Sequence, residues 1–111
     1  MTLLLLTCTG IATNASAANY RLDTVATGLN FPWSVDFLPS GDILITELSG
    51  SLRRLSSDGA LGDPISNVPS VFRASQGGLF DVLVDPNFAE NQRIFLSYAA
   101  GDTDTNGTVV V

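Results

Sequence analysis

The 111-residue sequence has no lysine, no histidine and a single cysteine, Cys8. Without histidine, the commonest general base in proteins is missing from these residues, and several frequent routes to catalysis close with it. Charge is also scarce: 14% of residues carry it, as eleven acids against five arginines, for a net charge of -6. The acids and arginines are scattered along the chain rather than gathered in a tail or patch, which argues against DNA, RNA and anionic membranes as partners. Finally, no stretch of 10 to 15 residues shows a clean helical period, so long amphipathic helices are not expected.

What is present is apolar. Hydrophobic residues make up 45% of the chain, enough for a buried core and far from the composition of a disordered segment. The first 19 residues are uncharged and open with Leu3-Leu4-Leu5-Leu6, followed by Ile11-Ala12 and the small triplet Ala15-Ser16-Ala17. This is the outline of a secretory leader with cleavage near Ala17, although a basic start is absent. The segment is too short and too polar for a membrane span. The expected division is therefore residues 1–17 as signal peptide and 18–111 as the folded part, in a periplasmic or secreted protein. Cleavage at Ala17 would remove Cys8 and leave no disulfide.

From residue 18 onward, short apolar runs alternate with turn residues. The pattern predicts an all-β chain with strands at Tyr20–Ala26, Ser34–Phe37, Ile43–Glu47, Ser51–Leu55, Leu79–Val84, Arg93–Tyr98 and Thr108–Val111. Pro39-Ser40-Gly41-Asp42, Ser49-Gly50, Ser57-Asp58-Gly59 and Asp85-Pro86-Asn87 supply turn chemistry between them. Two runs, Ile43-Leu44-Ile45 and Phe80-Asp81-Val82-Leu83-Val84, are apolar at nearly every residue and predict strands covered on both faces. The connections are too short for crossover helices, so the sheets should be antiparallel and stacked. A β-propeller satisfies both conditions, because each four-stranded blade lies between two neighbours. Pro39 and Pro86, 47 residues apart, end similar apolar runs and fit a blade repeat of about 40 to 50 residues. On pattern alone a β-sandwich competes with this reading.

A more specific signal lies in Gly28-Leu29-Asn30-Phe31-Pro32-Trp33-Ser34-Val35-Asp36-Phe37-Leu38-Pro39-Ser40-Gly41-Asp42, in Ile45-Thr46-Glu47 with Gly50-Ser51-Leu52-Arg53, and above all in Gln76-Gly77-Gly78-Leu79-Phe80-Asp81-Val82 running into Asp85-Pro86-Asn87-Phe88. Together with Ile94-Phe95-Leu96-Ser97-Tyr98 these blocks cover about two-thirds of the chain and resemble the soluble glucose/sorbosone dehydrogenase family, the pyrroloquinoline quinone (PQQ) dependent aldose sugar dehydrogenases. The resemblance implies the N-terminal part, about one to two blades, of a six-bladed β-propeller, with the chain stopping before the ring closes. It further implies PQQ and calcium as cofactors, an aldose sugar oxidised at C1 to a lactone, and an external electron acceptor. The base, a histidine, and most cofactor ligands would then lie past Val111, so the fragment by itself should be inactive. The competing reading is a non-catalytic propeller that binds carbohydrate or protein.

Within these residues the resemblance implies one cofactor contact, Gln76, and neither a catalytic residue nor a metal ligand. A side-chain amide offers donors and an acceptor without a charge, and Gly77 and Gly78 would let backbone approach a flat ligand. Read without the resemblance, Gln76 satisfies a buried carbonyl and the glycines form a bulge at a strand entry. Other groupings have plain alternatives. Asp102-Thr103-Asp104-Thr105-Asn106-Gly107 matches half a calcium loop but reads more simply as a solvated connection. Asp85 and Glu90 read as a solvated pair, Arg53 and Arg54 as neighbours on opposite strand faces, and Trp33 as packing rather than sugar stacking.

Overall fold

The computed structural model describes residues 19–111, so the leader, Cys8 and the cleavage triplet lie outside the described residues. Six strands form two three-stranded antiparallel sheets in simple sequence order. The first contains β1 (Pro32–Phe37), β2 (Ile43–Glu47) and β3 (Ser51–Leu55); the second contains β4 (Leu79–Val84), β5 (Ile94–Gly101) and β6 (Asn106–Val110). A single helical turn, α1 (Phe88–Asn91), follows the Asp85-Pro86-Asn87 turn. The sequence pattern misses this turn because four residues are too few to show a period.

The two sheets are repeats of one another in detail. Each first strand starts with a register irregularity, at Pro32/Ser34 in β1 and at Leu79/Val82 in β4. Such an irregularity strands a backbone donor, and in both sheets a hydroxyl on the second strand receives it. Ser34 N–H donates to Thr46 Oγ1 at 3.0 Å, and Asp81 N–H donates to Ser97 Oγ at 3.0 Å. The proline repeat read from the sequence thus extends to an internal polar plug.

Among the described residues, neither sheet has a regular fourth strand. Beside β3, however, residues 60–65 run along the open edge: Leu61 bridges Leu55, Gly62 N–H donates to the Arg54 carbonyl, and Ile65 N–H to that of Leu52. The first sheet therefore has an irregular fourth edge. The expected strand Tyr20–Ala26 does not form. The segment pairs with none of the six strands, and Tyr20 and Leu22 are more than 90% exposed; an alternating pattern makes a strand only where an edge offers it a ladder.

The sheets stack with β1 and β2 against β4, around a core of Leu44, Leu52, Leu79, Val82 and Leu96. Contact between the two first strands places β1 and β4 on the narrow side, where radial blades converge on a common axis. Three polar links join the sheets there. Thr46 Oγ1 donates to the Phe80 carbonyl at 2.5 Å, Val84 N–H to Asp36 Oδ2 at 2.6 Å, and Leu79 N–H to the Leu48 carbonyl at 3.3 Å. Thr46 is fully buried, so its hydroxyl, which accepts from one sheet and donates to the other, carries a large penalty if lost.

Ile45 and Leu44 in β2 are both buried, as a strand covered on two faces requires. The same expectation fails for β4, where Leu83 is 58% exposed and Asp81 also faces outward. Among the described residues the second sheet has a neighbour on one side only. Its other face presents Leu83, Phe95 and Val110, while Val35 and Phe37 do the same on the outer side of β1.

Candidate functional site

Gln76 lies in the tight turn that delivers the chain into β4. Gly77 N–H donates to the Ala74 carbonyl at 2.7 Å, closing a four-residue turn with Ser75 and Gln76 at its centre. Ser75 adopts φ 50°, a left-handed conformation that a residue with a Cβ takes only when its surroundings enforce it. The enforcement comes from both sides. Phe72 N–H donates to the Ala99 carbonyl at 2.7 Å, Ala99 N–H to the Gly78 carbonyl at 2.8 Å, and Leu79 N–H reaches Leu48 in the first sheet. The turn is thus tied to both sheets at once.

The two glycines serve this junction. A Cβ on Gly78 would sit 2.1 Å from the Leu48 carbonyl oxygen, and one on Gly77 would sit 2.6 Å from that of Phe72. Close approach is needed at both glycines, and the group approached is the protein's own backbone. The bulge at the entry to β4 belongs to the same arrangement. The Gln76 side chain itself is exposed and forms no hydrogen bond among the described residues, so it does not satisfy a buried carbonyl.

Arg73 is the residue at this turn that the sequence pattern does not single out. Its Nη1 donates to the Ser75 carbonyl at 2.8 Å and to the Gly77 carbonyl at 3.0 Å, one on each side of Gln76. At the same end of the first sheet, the buried Glu47 accepts from Asn30 N–H at 2.6 Å and lies 3.7 Å from the Arg53 guanidinium. This pairing fixes the entry to β1 beside the turn that Gly78 packs against. A lone arginine three residues before a glutamine carries no sequence signal, because the wrap depends on the left-handed Ser75.

The other sequence groupings resolve to structure. Asp102 caps the β5–β6 hairpin, its Oδ1 accepting from Asp104 and Thr105 N–H at 2.9 and 2.8 Å, and no metal-holding cluster of acids occurs among the described residues. Asp85 accepts from Asn87 N–H at 2.8 Å within its turn, while Glu90 lies exposed on α1. Arg53 and Arg54 point to opposite faces: Arg53 reaches the Gly62 carbonyl, and Arg54 pairs with the buried Asp42. That guanidinium, with Ser57 N–H on the other carboxylate oxygen, holds the Asp42 carboxyl below its usual range. Trp33 stacks at a tilt on Phe80, ring centres 6.2 Å apart, across the two sheets.

Two successive antiparallel sheets, repeating in register and in their polar plug and packed with their first strands together, define consecutive blades of a β-propeller. The sequence model of the glucose/sorbosone dehydrogenase family matches residues 29–111. The chain is 39% identical over 107 residues to aldose sugar dehydrogenase YliI of Escherichia coli (strain K12), which covers 95% of this chain and 29% of that protein. Its structure resembles the apo-form of the soluble aldose sugar dehydrogenase from Escherichia coli (TM-score 0.73, 41% identity), with 79% of this chain and 26% of the other aligned. It also resembles the PQQ-bound aldose sugar dehydrogenase from Streptomyces coelicolor (TM-score 0.66, 30% identity), over 80% of this chain and 26% of that one. The chain belongs to the glucose/sorbosone dehydrogenase family, and it spans between a quarter and a third of the length of these relatives.

Proposed function

We propose that this chain is part of an exported, PQQ-dependent enzyme that oxidises aldose sugars at C1 to lactones and passes the electrons to an external acceptor. The observation that carries the proposal is the Gln76-Gly77-Gly78-Leu79 turn. It holds an exposed, uncharged amide in a turn tied to two adjacent blades, in a chain of the glucose/sorbosone dehydrogenase family. Export rests on the uncharged leader and its Ala15-Ser16-Ala17 triplet.

The residues present suit a cofactor of this kind. Gln76 Nε2 carries two donors and Oε1 an acceptor, so the amide can bind a carboxylate or a quinone oxygen without adding charge. When bound, PQQ supplies an electron sink for hydride from the sugar's C1, and calcium supplies a Lewis acid at the quinone carbonyl. Gln76 binds and orients, while the backbone bonds from Gly78 and Leu79 to both blades keep its turn from drifting. Holding a reacting group to a fraction of an ångström in this way is a large part of what a protein contributes to catalysis. The histidine that the family resemblance assigns as proton acceptor for the anomeric hydroxyl is not among these residues, and the 111 residues alone are proposed to be inactive.

The test is aldose oxidation by the full-length protein with an artificial electron acceptor. The rate should depend on adding both PQQ and calcium, and Gln76→Ala should weaken PQQ binding about tenfold, the loss expected for hydrogen bonds to a charged group. Oxidation that proceeds at full rate without PQQ, or a protein that takes up no PQQ at all, would contradict the proposal.

A further inference from the structure

Among the groups around the Gln76 turn, Arg73 has a geometry that its surface position does not require. Its Nη1 is shared between two carbonyls, those of Ser75 and Gly77, which bracket Gln76 in the chain. No other side chain hydrogen-bonds to residues 74–77 among the described residues, and the turn itself contains the left-handed Ser75 at φ 50°. An exposed turn strained at its first central residue relaxes unless something outside its own backbone holds it. Bound to the Ser75 carbonyl, the guanidinium fixes the peptide plane that enters Gln76, while the Gly77 N–H bond to the Ala74 carbonyl holds the plane that leaves it. With the second Arg73 bond clamping the next plane at the Gly77 carbonyl, the direction of the Gln76 Cα–Cβ bond is fixed.

Resting on the cofactor contact proposed above, we infer that Arg73 is a positioning residue: it locks the Ala74–Gly77 turn so that the Gln76 amide is preset toward PQQ. Arg73 acts through Gln76 and not on the cofactor itself. Its effect should therefore vanish when the amide is absent.

A double-mutant cycle in full-length apo-protein tests this, with PQQ affinity read by equilibrium titration and turn order read by hydrogen exchange of residues 74–78. Arg73→Met keeps the length and apolar stem while removing the donors. It should raise the PQQ Kd about tenfold in the otherwise unchanged protein and less than about twofold in the Gln76→Ala background, the non-additivity expected of coupled groups. It should also speed exchange in the 74–78 segment before any PQQ is added. Equal losses of affinity in both backgrounds would overturn the inference by making Arg73 a direct ligand. So would an unchanged Kd or unchanged exchange for Arg73→Met where Gln76→Ala alone weakens binding. An unchanged Kd for Gln76→Ala overturns the cofactor contact itself, and the inference with it.

Discussion

Single polar side chains decide how the two blades hold together. Thr46 is buried and spans the junction, and Asp36 reaches across it to Val84, so each blade supplies hydrogen-bond partners that the other would leave unsatisfied. Asp42 does the same within the first blade, tying the β1–β2 turn to Arg54 on β3 and to Ser57. Its carboxyl is held low first by Arg54 and then by Ser57 N–H. A carboxylate lowered in the folded state stabilises the fold fully above its unfolded value, near 3.8, and loses that contribution as the pH falls through the folded value. Asp42→Asn should therefore lower the Tm of the full-length protein at pH 7, and the gap to wild type should close as the pH drops below about 4. A gap that stays constant from pH 7 to pH 3 would show that charge at Asp42 plays no part. These residues were hardly legible in the sequence. Their importance comes from a partner dozens of positions away, and nothing in the local pattern around Thr46 or Asp36 names Phe80 or Val84.

Whole elements were more legible. Six of the seven strands read from periodicity overlap observed strands, and Ile43–Glu47, Ser51–Leu55 and Leu79–Val84 coincide with them, because turn residues bound each run on both sides. The last two strands extend or shift by a few residues, since the hairpin around Asp102 places its own register. Tyr20–Ala26 failed for want of a partner, and α1 was too short to register. The Gln76 block was legible as a motif, but the work of Gly78 was not, because the Leu48 carbonyl it accommodates belongs to the other blade. This gives an element-level prediction. Gly78→Ala forces a Cβ into backbone at 2.1 Å and places an L-residue at φ 152°, and should cost on the order of 3 kcal/mol or more. Gly107→Ala, in the exposed β6 with open space around it, should stay within about 0.5 kcal/mol of wild type. Denaturant unfolding of the two variants in the full-length protein gives both numbers, and equal losses would refute the junction role of Gly78.

At the scale of the molecule, the pair of blades is asymmetric about its shared core. The inner faces bury Leu52, Leu79 and Leu96, while Phe37 and Val35 on one side and Leu83, Phe95 and Val110 on the other stand open. Each of these open faces has the composition of a blade-to-blade surface, which is what the stacking of a radial fold demands. The proposal for Gln76 belongs to this scale too: its turn is anchored to both blades, and the proposed cofactor contact requires that it look toward the axis of the ring. The most direct measurement is a crystal structure of the full-length protein with PQQ bound. The account predicts the Gln76 amide within hydrogen-bond distance, about 3 Å, of a cofactor oxygen, with the Arg73 guanidinium still seated on the Ser75 and Gly77 carbonyls. A structure in which Gln76 faces the outer rim, with PQQ held entirely by other residues, would contradict it.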